Sequence, residues 1–149
     1  MIVKRTFWFV LLLLSFVLVA CGGGEAETAV SEPADSAAVT VIDAASLPDQ
    51  ISVETVHQIR GQDDVFVIDV REQVEYDEWH IPDLTLIPMS TFEQNMDQLP
   101  KDKEIIVTCN SGNRSGQVTA FLQQNGYTNV HNMEGGIQAW DEAGYEIER

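Results

Sequence analysis

Basic residues are scarce in this chain: eight Lys and Arg stand against 24 Asp and Glu, a formal net charge of −16. None falls between Arg5 and Arg60. Nucleic acids and anionic lipid surfaces recruit clusters of Lys and Arg, so neither is a partner that charge would hold here. Cysteine is nearly missing, with Cys21 and Cys109 alone, and this excludes a disulfide framework. The three histidines, His57, His80 and His131, never recur at the i, i+4 spacing of a helical zinc site, so no metal is expected. One long apolar run occurs, fourteen residues over 7–20, short of the roughly 20 that span a bilayer comfortably.

What is present divides the chain in three. Lys4 and Arg5 precede "FWFVLLLLSFVLVA", the order of basic start and apolar region in a secretory signal. The run ends in "LVAC" at 18–21 and is followed by "GGG", which resembles a bacterial lipoprotein signal cut just before the cysteine. That resemblance implies a signal peptide over 1–20 and a Cys21 that becomes the mature N-terminus, carrying lipid on its sulfur and amine. An ordinary signal and an uncleaved anchor helix are the other readings of the run. Each puts the remainder outside the cytoplasm, in the cell envelope. Lipid would then supply attachment to a bacterial membrane, because loss of the first twenty residues leaves 6 basic and 24 acidic side chains, a charge of −18.

From residue 22 to 49, Gly, Ala, Glu, Ser and Pro dominate. Such a composition reads as a flexible acidic tether, with "VTVID" at 39–43 as a short extended piece. The chain from 50 to 149 alternates two periods. Val53, Val56 and Ile59 recur at helical spacing between Ser52, an N-cap residue, and Gly61, a stop. "VFVIDV" at 65–70 is a continuous apolar run that suits a strand covered on both faces. A helix near 72–79, a strand at 84–88, a helix at 90–99 and a strand at 104–108 follow. A helix from Ser115 to Asn125 closed by Gly126, a segment at 127–133 and a helix at 137–144 complete the series. This alternation predicts one α/β domain with a central, mostly parallel sheet flanked by helices.

The chemistry concentrates in "CNSGNRS" at 109–115. It lies where a parallel strand ends and a helix begins, the place where side chains and helix N-termini converge on ligands. Asn110, Ser111, Gly112 and Asn113 tolerate the turned backbone of an anion nest. The following helix adds its positive end, and Arg114 a full charge. A thiol in such a cradle has its thiolate favoured, and the thiolate is the nucleophile. The residues alone also allow a plain strand-to-helix turn in which Cys109 is a small buried hydrophobe.

Three stretches decide between these. "VIDVREQVEYDEWHIPDLTLIP" at 67–88, "CNSGNRS" and "NMEGGIQAW" at 132–140 together resemble the rhodanese-like sulfurtransferases, in the family's order and spacing, over about 50–149. The resemblance implies that Cys109 takes the outer sulfur of an anionic donor such as thiosulfate, becomes a persulfide, and passes the sulfur to a thiol or cyanide. Residues 110–114 would hold the persulfide, Arg114 would bind the donor, and Asp69, Arg71 and Ser115 would be structural supports of the site. It also implies that no cofactor is needed.

Similar-looking cysteine phosphatases place five residues between cysteine and arginine, whereas four separate Cys109 from Arg114 here, and Thr108 stands where tyrosine phosphatases have histidine. Where the rhodanese-like family often reads Gly-His-Ile-Pro-Gly-Ala, this chain has Trp79-His80-Ile81-Pro82-Asp83-Leu84, and Asn110 replaces a frequent basic residue. The alternative function is a rhodanese-like module that binds an envelope protein partner or senses oxidants without turnover. Trp79, Phe121, Tyr127 and Trp140 read as core or turn anchors, and Gly135 with Gly136 as a backbone requirement at the start of a helix.

Overall fold

A computed structural model describes residues 43–149. Signal, lipidation and most of the tether, including Cys21 and residues 39–42 of "VTVID", lie outside the described residues. Asp43, the last residue of that stretch, belongs to no strand.

Five strands form one wholly parallel sheet in the order β1-β5-β4-β2-β3: β1 Gln50–Ile51, β2 Val65–Asp69, β3 Thr85–Leu86, β4 Glu104–Thr108 and β5 Val130–Met133. Among the described residues five α-helices connect or cover them: α1 Val53–Ile59, α2 Gln73–Glu78, α3 Phe92–Asn95, α4 Asn113–Gln124 and α5 Gly136–Glu142. The expected α/β domain is present. Strand β4 is central, paired with β2 from Glu104 to Thr108 and with β5 from Ile105 to Val107.

Side chains alternate across a strand, so each strand feeds two cores. Val65, Val67 and Ile106 point to one face, packed with Val56, Ile59, Ile137 and Trp140 of α1 and α5. Ile68, Ile105, Val107 and Cys109 point to the other, against Phe92 of α3 and Val118 and Leu122 of α4. Trp140 is wholly buried, and its indole N–H donates to the Glu146 carbonyl at 3.0 Å. Burying each such large apolar side chain is worth about 1.5–3 kcal/mol.

Helix boundaries follow local chemistry. Ser52 caps α1 by accepting the Thr55 N–H, as its residue type predicts. Helix α4 ends where Gly126, at φ 88°, lets the Tyr127 N–H reach the Leu122 carbonyl, the geometry of a Schellman stop.

Four details depart from the sequence reading. Ala44 and Leu47, placed in the tether, pack on the domain: Ala44 is buried in the core and Leu47 lies against it. Strand β1 is an added edge of two residues whose register pairs Gln50 with Asn132. The helix expected over 90–99 is a 3-10 turn at Met89–Thr91, α3, and a second 3-10 turn at Met96–Gln98. Finally, α4 begins at Asn113, because Gly112 at φ 87° serves as its N-cap, and this draws Arg114 into the first turn.

Candidate active site

Cys109 follows β4 directly and is 1% exposed. Its Sγ receives the backbone N–H of Gly112 at 3.2 Å and the hydroxyl of Ser115 at 3.4 Å. Burial pushes the thiol up. The Ser115 hydroxyl, with backbone N–H groups of Ser115, Ser111 and Gly112, more than offsets it and holds the thiol below the ordinary cysteine value. Asn113 closes the loop through its amide to the Ser111 hydroxyl at 3.3 Å.

The loop is fixed from behind. Ile137 and Gln138 of α5 donate backbone N–H groups to the carbonyls of Cys109 and Asn110 at 2.8 and 3.1 Å. A Cβ on Gly136 would sit 2.3 Å from the Cys109 carbonyl oxygen, and one on Gly112 would sit 3.1 Å from the Gly135 nitrogen. Both glycines therefore serve close backbone approach. With the carbonyls turned towards α5, the N–H groups of the loop are free to face the sulfur.

Arg114 has a partner that sequence spacing did not reveal. Its two terminal nitrogens each donate to one carboxylate oxygen of Glu75 at 2.6 Å, a fork between residues 39 positions apart. The Arg114 hydrogen bonds, against some burial, hold the Glu75 carboxyl far down, at about 2. Glu75 in turn keeps Arg114 above its usual value. The sequence reading gave Arg114 a full charge, and the structure sets a carboxylate against it. The signal that could have found Glu75 is its capping-box spacing from Glu72: the Glu75 carboxylate accepts the backbone N–H of Glu72 at 3.0 Å.

Asp69 and Arg71 govern where α2 sits. Both are buried, and Arg71 Nε donates to Asp69 Oδ2 at 2.8 Å. The remaining guanidinium nitrogens reach the carbonyls of Glu75 at 3.2 Å and Trp79 at 2.8 Å. Burial pushes the Asp69 carboxyl up, with Arg71 pulling against it. Arg71 thus fastens the middle and the C-cap of α2 to the end of β2 and so places Glu75 before Arg114.

The nine loop and support residues from the sequence reading fall into two layers: 109–115 around the sulfur, and Asp69 with Arg71 behind α2. The histidines are engaged elsewhere. His57, exposed on α1, stacks on Tyr145 at 4.0 Å; His80 bonds the Tyr76 carbonyl and Glu148; His131 bonds the Pro48 carbonyl and Glu104. Among the described residues no group of His, Cys, Asp and Glu is arranged to hold a metal ion.

A parallel sheet whose central strand delivers a thiol to a tight turn at a helix start defines an α/β domain with a cysteine at the carboxyl end of that strand. The chain belongs to the rhodanese-like domain family, which it matches over residues 52–143. It is 37% identical over 99 residues to a sulfurtransferase of Allochromatium vinosum, covering 66% of this chain and 92% of that protein. It is 39% identical over 84 residues to the putative sulfurtransferase YtwF of Bacillus subtilis, covering 56% and 81%. Among solved structures it is similar to a rhodanese-related protein from Thermoplasma volcanium, with a TM-score of 0.61 and 34% identity over 68% of this chain and 98% of that one.

Proposed function

We propose that this protein is a sulfurtransferase that carries sulfane sulfur as a persulfide on Cys109. The observation that carries the reading is the Cys109 sulfur itself, which accepts the Gly112 N–H and the Ser115 hydroxyl inside a four-residue loop closed by Arg114. A thiolate so held attacks the outer sulfur of thiosulfate, the S–S bond breaks, and sulfite leaves with both its electrons. The new persulfide, Cys109–S–S⁻, projects one sulfur further along the loop. An acceptor thiol or cyanide then takes that sulfur, forming a new persulfide or thiocyanate and restoring the Cys109 thiolate. The N–H groups of Asn110 to Arg114 hold the extra negative sulfur, as donors pre-aimed at a developing charge do in general. Ring size supports sulfur over phosphate chemistry.

The same proposal puts the domain outside the cytoplasm, tied to a bacterial membrane by lipid on Cys21. Support comes from the "LVACGGG" signal and from a surface charge that would not bind anionic lipid by itself. Metabolic labelling with an alkyne fatty acid should mark the wild-type chain, and Cys21→Ala should lose the label.

Intact-mass spectrometry of the reduced full chain in detergent tests the chemistry. Thiosulfate or an alkyl persulfide should add one sulfur to Cys109, and cyanide should remove it as thiocyanate. If no donor adds sulfur while the thiol still alkylates, transfer is refuted. The domain is then a binding or oxidant-sensing module.

A further inference from the structure

We infer that Glu75 is a positioning residue that sets the charge of the sulfur donor through Arg114, turning the site from dianionic donors towards persulfides with a single negative charge or none. This inference deepens the sulfurtransferase reading and rests on it.

The argument starts from the fork. Both terminal nitrogens of Arg114 are engaged by Glu75 at 2.6 Å, and bidentate charge-assisted pairs are the strong ones. Arg carries five N–H donors, so some remain for a ligand. The site charge, however, is that of a neutral pair rather than of a free cation. A thiosulfate dianion drawn to Arg114 therefore also meets the charge of the Glu75 carboxylate paired with it.

Glu75 is not free to swing away. Its Oε2 also accepts the Glu72 N–H at 3.0 Å, and its carbonyl accepts from Arg71. Glu72 is itself held by the Ser90 hydroxyl at 2.7 Å and the Ser90 N–H at 3.2 Å. A chain of contacts from Ser90 through Glu72 therefore fixes the carboxylate against Arg114. With a carboxyl at about 2, Glu75 keeps its charge throughout the physiological range.

Thiosulfate brings two charges, and sulfite must leave with two. An alkyl persulfide, RS–S⁻, brings one. Its reaction balances as RS–S⁻ plus Cys109–S⁻ giving RS⁻ plus Cys109–S–S⁻, and protonation of either sulfur lowers the charge further. The loop N–H groups suffice for such a donor. No step needs an unpaired Arg114.

The test compares donors rather than rates alone. Wild type and Glu75→Gln, which keeps the shape and an acceptor for the Glu72 N–H, are loaded in single turnover with thiosulfate and with an alkyl persulfide bearing an uncharged tail. The ratio of thiosulfate to persulfide rate constants should rise at least about tenfold in the variant. A purely structural role for Glu75 would lower both rates together and leave the ratio unchanged, which would overturn the inference.

A second arm needs no chemistry. Thiosulfate is titrated calorimetrically into Cys109→Ser with and without Glu75→Gln. Tighter binding by about tenfold in the double variant is expected, and equal affinity overturns the inference even if Cys109 transfers sulfur. Conversely, the absence of any persulfide on Cys109 refutes the transfer reading, while the titration still decides what Glu75 does to an anion.

Discussion

Ile137 and Cys109 are joined main chain to main chain: the N–H that opens helix α5 donates to the carbonyl of the nucleophile's own residue at 2.8 Å. The cradle is therefore built by two helices. Helix α4 supplies donors in front of the sulfur, and α5 restrains the carbonyls behind it.

Gly136 makes this approach feasible, with φ 59° and a Cβ position 2.3 Å from the Cys109 oxygen. Gly136→Ala should destabilise the fold by about 1–3 kcal/mol or more through overpacking and backbone strain. It should also slow alkylation of Cys109 at neutral pH. Gly61→Ala is the control: nothing lies within 4 Å of its Cβ position, and its effect should stay within about 0.5 kcal/mol. Chemical denaturation of both variants decides the point.

Ser115→Ala removes the hydroxyl that contacts Sγ at 3.4 Å and leaves the burial. The Cys109 thiol should then titrate higher than in wild type, because a donor that favours the thiolate is lost. Iodoacetamide alkylation followed against pH should show the midpoint moving up, and an unmoved midpoint would refute the role of the hydroxyl.

The Glu75 carboxyl lies at about 2 in the folded protein against 4.5 for an unperturbed glutamate. A depressed folded pKa stabilises above the unfolded value, and that contribution is lost as pH falls through the folded one. The difference in melting temperature between wild type and Glu75→Gln should accordingly be full above about pH 4.5 and vanish on descent towards pH 2. The pair is partly exposed, so solvent screening keeps the difference small.

Arg71→Met deletes a wholly buried cation and leaves Asp69 without its 2.8 Å partner. Breaking one side of a buried pair costs about 3–5 kcal/mol. A double change that also makes Asp69 apolar should recover part of that loss, whereas the site should not recover, because α2 would still lack the anchors at the Glu75 and Trp79 carbonyls. Urea denaturation and persulfide loading measure the two effects separately.

Much of this was legible in the sequence, for physical reasons. Val53, Val56 and Ile59, or Ile105 and Val107, declare their elements because periodicity is enforced by burial. The loop after Cys109 shows through residue types that tolerate a turned backbone, whereas its chemistry was read only from the resemblance carried by three separated stretches. Long-range polar pairing was hidden. Glu75 reads as one acid among 24, and its value comes from Arg114, brought beside it only when the ends of β2 and β4 align, with Asp69 opposite Thr108. Short elements were hidden too: β1, with two residues, has no period to read. Asp83 takes φ 63° where the family often has glycine, a backbone state that Asp tolerates better than most residues.

The restraint of the Cys109 loop by α5 has a temporal side. A chain made from its N-terminus has Cys109 in hand before Ile137 and Gln138 exist. Until those two residues dock, the carbonyls of 109 and 110 lack the N–H partners they have in the folded domain. The back of the Cys109 loop is thus completed only after α5 has been made, so an ordered loop reports that synthesis has run through that helix.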